Sequence, residues 1–142
     1  CFYAWKGGGA YLNGQSLQVS SVRSMEASFV VTELPYNSEQ YARTGEYLIR
    51  ELYGRVAGIR MNGSAAIALC YVAAGRFDAW LEAFLGKWDF SAAALIVQEA
   101  GGRVTDFYGN AGFIDGHHVV ATNGWLHPFL LELVQKAMPL GM

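Results

Sequence analysis

With 142 residues the chain has the length of one domain and enough material for a hydrophobic core. Hydrophobic residues make up 53% and charged residues only 15%, which excludes the polar, highly charged composition of a disordered segment. A formal net charge of -2, with the 10 basic residues scattered rather than gathered, excludes the basic stripe that a nucleic acid partner requires. No apolar run approaches the roughly 20 residues of a transmembrane helix, and no signal segment opens the chain. A soluble, cytoplasmic protein is expected, with no nucleic acid and no membrane among its partners. The aromatic share of 14% at such low charge points to apolar surface meant for a partner domain or subunit. Cys1 and Cys70 have no metal-ligand spacing, and Cys70 sits among apolar residues as a small buried one.

In chain order, Cys1-Phe2-Tyr3-Ala4-Trp5-Lys6 has the pattern of a strand interior and lacks an initiator Met, which predicts a chain cut from something longer. Gly7-Gly8-Gly9, Ala10-Tyr11-Leu12, the turn signal Asn13-Gly14 and the alternating stretch from Ser16 to Ser20 predict a hairpin. The glycine triplet is not expected to be a phosphate loop, because no Gly-Lys-Ser/Thr follows it. The β-branched run from Ser28 to Leu34 predicts a buried strand, followed by a turn and a helix cap at Asn37-Ser38. A helix over 38–53 would bury the stripe Tyr41, Gly45, Leu48 and Leu52, and Gly54 stops it.

A strand over 58–61 and an Ala-rich helix over 65–74, opened by Asn62-Gly63-Ser64, come next. Residues 78–84 alternate as a strand, with Ala79, Leu81 and Ala83 on one face and Asp78, Trp80, Glu82 and Phe84 on the other. A helix over 90–100, strands over 104–107 and 119–122, and a last helix over 126–137 complete the chain. Strands alternating with helices predict an α/β (α+β layered) fold, a mixed β-sheet of five or more strands flanked by helices, with the first hairpin at its edge.

Chemistry concentrates in a few places. Asp89 lies just before a helix of small and apolar residues, where its carboxylate reads as an N-cap. Glu82 shares a strand face with Trp80 and reads, on the pattern alone, as a solvated glutamate. Asp78 lies on the same face but roughly 13 Å away, too far for a carboxylate pair. Gly63-Ser64-Ala65 opens a helix, where free N–H groups and the positive dipole end favour an oxygen or an anion, with a plain Ser64 cap as the alternative. His117, His118 and His127 have no chelating spacing and read as structural or solvated. No Ser, His and Asp set is spaced as a hydrolase triad.

Trp88-Asp89, the small-residue helix after it and its ending Glu99-Ala100-Gly101-Gly102 together resemble the C-terminal signature of the inositol monophosphatase family. Gly9-Ala10-Tyr11-Leu12-Asn13-Gly14, Gly63-Ser64-Ala65-Ala66, Cys70-Tyr71-Val72-Ala73-Ala74-Gly75 and Ala121-Thr122-Asn123 extend the resemblance over essentially the whole chain. Ser91 and Ala93 depart from it, where the family usually has Ala or Gly and often Gly.

The resemblance implies hydrolysis of inositol monophosphate or a related polyol or sugar phosphate monoester by magnesium-activated water, with Mg2+ as cofactor. Asp89 would be the catalytic metal ligand, Glu82 would accept hydrogen bonds from substrate hydroxyls, and Gly63, Ser64 and Ala65 would contact substrate through main-chain groups. Arg60 would support the site or a subunit contact, without a catalytic role. The family's earlier Glu and its Asp-Pro-x-Asp-Gly-Thr motif, which supply most metal ligands, are absent from these 142 residues. Residues 1–142 are therefore expected to be the C-terminal domain of such an enzyme, with the N-terminal metal-binding half outside the sequence, inactive alone and paired as a homodimer. The alternatives are a nucleotide 3'-phosphatase, a fructose-1,6-bisphosphatase relative, or a non-catalytic packing domain.

Overall fold

The computed structural model describes residues 1–34, 39–115 and 117–141. Among these residues eight strands and four α-helices follow one another as β1 (Phe2–Trp5), β2 (Gly9–Leu12), β3 (Gln15–Ser16), β4 (Phe29–Thr32), α1 (Glu39–Leu52), β5 (Gly58–Arg60), α2 (Ala65–Ala73), β6 (Ala79–Ala83), α3 (Lys87–Glu99), β7 (Arg103–Thr105), β8 (His118–Thr122) and α4 (His127–Gly141). The central sheet has five strands in the order β5-β4-β6-β8-β7. β4 runs parallel to both β5 and β6, whereas β8 is antiparallel to β6 and β7, so the sheet is mixed as expected.

Each strand divides its residues between two cores, because successive side chains point to opposite faces. Val31, Trp80, Val119 and Ala121 pack with α2 and α3, while Val30, Ala79, Leu81 and Val120 pack with α1 and α4. The split of β6 between Trp80 on one side and Ala79, Leu81 and Ala83 on the other follows its alternation. On α1, Tyr41, Gly45, Leu48 and Leu52 are all buried, as the stripe predicts; the expected cap at Asn37-Ser38 lies outside the described residues. Cys70 is buried in the first core, and burial pushes its thiol pKa up.

Three expectations change. The hairpin is not an edge of the central sheet: β1, β2 and β3 form a separate three-stranded antiparallel sheet lying on α3. Its inner residues Phe2, Ala4, Ala10 and Leu17 join the core around Phe90 and Val97, and Val19 N–H donates to Ala100 O (3.1 Å). The apolar face of a short hairpin needs only a helix to cover it, and α3 supplies one. α3 begins three residues earlier than the pattern suggests, with Gly86 as N-cap. The alternation of β6 ends at Ala83: Phe84 has φ +67°, which turns its ring over to Tyr41 on the opposite side of the sheet, centroids 5.3 Å apart.

Candidate active site

β4, β5 and β6 are mutually parallel, so their carboxyl ends lie along one edge of the sheet, the edge at which α/β sheets bind ligands. Glu33 follows the last residue of β4, Asn62-Gly63-Ser64 connects β5 to α2, and Glu82 is the penultimate residue of β6. The N-terminus of α3 closes the same space with Trp88 and Asp89. The result is a cleft of about 370 Å³ whose lining includes Glu33, Gly63, Ser64, Ala65, Glu82 and Asp89, with Phe84 and Trp88 beside them. All five residues singled out from the sequence line this one cleft, and three separate elements deliver them.

Asp89 occupies the third position of α3, and its Oδ2 accepts from Gly86 N–H (3.0 Å) while its own N–H donates to Gly86 O (2.9 Å). It caps the helix from inside the first turn, so the capping alternative holds in a shifted form. Capping engages one carboxylate oxygen and leaves the other for a ligand. Ser64 is the N-cap of α2, accepting from Ile67 N–H (3.4 Å), and the N–H groups of Ala65 and Ala66 have no partner among the described residues.

Glu82 differs from its neighbours. Its Oε2 is buried without a hydrogen-bond partner among the described residues, and burial first, then the negative charges of Glu33 and Asp89, push its pKa up to about 8. A half-buried carboxyl in this state holds its proton at neutral pH until a donor or a cation reaches it. Asp78, by contrast, is fully engaged, accepting from Ser20 Oγ and from Phe29 N–H (2.7 Å), and it ties β4 to β6 away from the cleft.

The histidines are placed outside the cleft. His127 is fully buried between Thr105 Oγ1 (2.9 Å from Nε2) and Thr122 Oγ1 (3.0 Å from Nδ1), and burial with the charge of Arg103 lowers its pKa to about 4. His117 Nδ1 is 3.1 Å from Leu85 O, and His118 packs against Tyr41 and Phe107. Arg60 is exposed and lies over the Phe29 ring.

The residue that sequence reasoning passed over is Glu33. Its Oε1 accepts from both Asn62 N–H (2.8 Å) and Gly63 N–H (2.9 Å). An acidic residue immediately after a near-continuous apolar run, Phe29-Val30-Val31-Thr32, is the signal that could have found it, because such a run is a buried parallel strand whose carboxyl end faces the ligand edge.

A larger cleft, about 710 Å³, lies on the opposite helical layer between the 3-10 turn Met25–Ala27, α1 and α4. It contains none of the residues singled out from the sequence, and four of its charges pair off, Arg55 with Glu51 at 3.4 Å and Lys136 with Glu132 at 2.7 Å.

A layered α/β fold with acidic side chains and helix-terminal amides gathered at the carboxyl ends of parallel strands is the setting in which α/β proteins bind their ligands. Residues 1–138 match the model of the inositol monophosphatase family, and the chain belongs to that family. It is 44% identical over 140 residues to the Nus factor SuhB of Pseudomonas aeruginosa and 37% identical over 140 residues to an inositol-1-monophosphatase of Rhizobium meliloti, covering 97% of this chain and 52% of the relative in both cases. Among solved structures it is similar to the extragenic suppressor protein SuhB from Bartonella henselae (TM-score 0.89, 36% identity, 95% of this chain and 52% of that one). It is likewise similar to the Thermotoga maritima IMPase (TM-score 0.87, 33% identity, 97% and 52%). The chain spans about half the length of the curated relatives it matches.

Proposed function

We propose that residues 1–142 form the C-terminal, substrate-facing part of a magnesium-dependent phosphatase acting on inositol monophosphate or a related polyol or sugar phosphate monoester. The observation that carries this reading is the convergence of Gly63, Ser64, Ala65, Glu82 and Asp89 on one cleft. The donor set suits a hard cation: Asp89 keeps a carboxylate oxygen outside its cap, and Glu82 has a buried oxygen without a partner. No three His, Cys, Asp or Glu among the described residues are grouped to hold a metal on their own, so the remaining ligands must come from outside them. Asp89 would hold the ion, which when bound polarises the phosphate and activates water.

The chain's own residues do the rest. Ala65 and Ala66 N–H groups offer donors to substrate oxygens at the positive end of α2. Glu82, once a donor reaches it, accepts from a sugar or polyol hydroxyl and orients the ester. Asp89 ties the first turn of α3 in place through Gly86, which fixes the position of its second oxygen. We further place the protein in the cytoplasm as a homodimer; among the described residues no helix is long and apolar enough to cross a membrane. Sedimentation of the full-length protein showing only monomer at micromolar concentration would remove the dimer.

Hydrolysis of inositol 1-phosphate against magnesium concentration tests the reading. The full-length protein should turn over, the 142-residue chain should not, and Asp89→Asn in the full-length protein should lose about 100-fold or more in kcat/KM. Asn keeps the oxygen that accepts from Gly86, so the melting temperature should fall by only about 2 °C or less. Full activity in the Asn variant would reduce Asp89 to a helix cap.

A second reading is favoured by the names of relatives at 42–44% identity, which are Nus factors: the protein could serve in that role as well. Asp89→Asn separates the two, because loss of hydrolysis should leave a Nus-factor role untouched.

A further inference from the structure

We infer that Glu33 is a positioning residue for substrate: its carboxylate holds the Asn62–Ala65 loop in the conformation that presents the α2 N-terminus to the cleft. The inference rests on the phosphatase reading and adds to it a residue with no direct contact to the reacting atoms.

Among the described residues the loop has little else to hold it. Gly63 is exposed and has φ +74°, in the left-handed region, and a Cβ built there would meet nothing within 4 Å. The Asn62 side chain reaches only as far as Ser64 N–H (3.3 Å), and Ser64 Oγ only as far as Ile67 N–H (3.4 Å), so both bonds are local to the loop and the helix start. Among the described residues the tether from another element is Glu33, which comes from the end of β4, next to β5 in the sheet. Two successive N–H groups converging on one carboxylate oxygen form a nest with a resident anion. Charge-assisted bonds of 2.8 and 2.9 Å are the stronger kind, and they lock the backbone dihedrals leading into α2. The neighbouring amides of Ala65 and Ala66 have no partner among the described residues, so Glu33 satisfies the loop's first two donors and leaves the next helix donors for a ligand. Glu33 also lines the cleft itself, so its charge discourages an anion from settling on the Asn62–Gly63 amides instead.

The test uses the full-length protein with Glu33→Ala and Glu33→Gln, read by amide hydrogen exchange of the 60–68 segment and by kcat and KM for inositol 1-phosphate with magnesium chloride. Gln retains a carbonyl oxygen for the two amides and Ala retains nothing. Glu33→Ala should speed exchange at Asn62 and Gly63 and raise KM about tenfold with kcat within about threefold, the scale of one charge-assisted bond. Glu33→Gln should restore both readouts to within about threefold of the parent. Unchanged exchange in the Ala variant overturns the inference, as does faster exchange with unchanged KM, or a Gln variant as impaired as Ala. If the parent protein hydrolyses no phosphate monoester, the phosphatase reading fails and the substrate role of Glu33 fails with it, while the exchange comparison still decides whether Glu33 orders the loop.

Discussion

Two regions of the molecule use a glutamate in opposite ways, and the contrast between them separates a filled acceptor from an unfilled one. At the hairpin, Glu99 Oε1 accepts from Gly7 N–H (2.8 Å) and Oε2 accepts from Gly9 N–H (2.9 Å). Both oxygens are used, and these bonds hold the carboxyl below the usual glutamate range. At the cleft, Glu82 Oε2 is buried with nothing to accept from, and its pKa rises to about 8. The same kind of side chain is thus a fastener where donors surround it and a carboxyl that keeps its proton where they do not. In the glycine triplet the amides of Gly7 and Gly9 are thus taken by the protein's own carboxylate.

The largest effect expected from this contrast is at Glu82. Below about pH 4.5 the group is protonated folded and unfolded, and it contributes nothing. Between about 4.5 and 8 the unfolded chain ionises while the folded one keeps its proton, so stability falls as pH rises, and the loss is complete above about 8. Allowing for solvent screening at a partly exposed group, the loss is on the order of 2–4 kcal/mol. Glu82→Gln should flatten this dependence in urea titrations of the 142-residue chain at pH 5 and pH 8. An unchanged difference between the two pH values in the Gln variant would mean that Glu82 is hydrated rather than stranded.

Glu99 should behave in the opposite sense. Its pKa is lowered, so its stabilisation is present above the ordinary glutamate value and disappears as pH falls through its folded value. Glu99→Ala should speed amide exchange at Gly7 and Gly9 and loosen the hairpin without moving KM for substrate. A KM change as large as that expected for Glu33→Ala would show that the hairpin communicates with the cleft.

This division also governs what could be read in advance. The alternation of β6, the α1 stripe and the small-residue helix α2 are local patterns, and Trp80, Leu48 and Ala68 are buried where those patterns place them. The five cleft residues were found through family resemblance, since neither spacing nor composition distinguishes Glu82 from a solvated glutamate. Glu33 and Glu99 act through bonds to residues 29 and 92 positions away in the sequence, and no periodicity encodes such a partner. The left-handed turn at Phe84 is a tertiary matter too: Tyr41 draws the ring across the end of the sheet, against the alternation of the strand.

The smallest effect belongs to Ser91, which lies on α3 half a turn past Asp89 and departs from the Ala or Gly usual in the family. Proximity to Asp89 invites a functional reading, but its Oγ donates to Lys87 O one turn back, so its hydrogen bond is already made, as with Glu99 and unlike Glu82. A hydroxyl that bonds back to the helix carbonyl at i−4 competes weakly with the helix and tends to bend it. Ala has the higher helix propensity and removes that competition, so Ser91→Ala should stabilise the protein by about 0.3–0.5 kcal/mol. With Asp89 still tied to Gly86, kcat/KM should stay within about twofold of the parent. Thermal denaturation and inositol 1-phosphate hydrolysis of the full-length variant check both halves, and a loss of activity beyond tenfold would show that a satisfied side chain beside Asp89 can still serve the reaction.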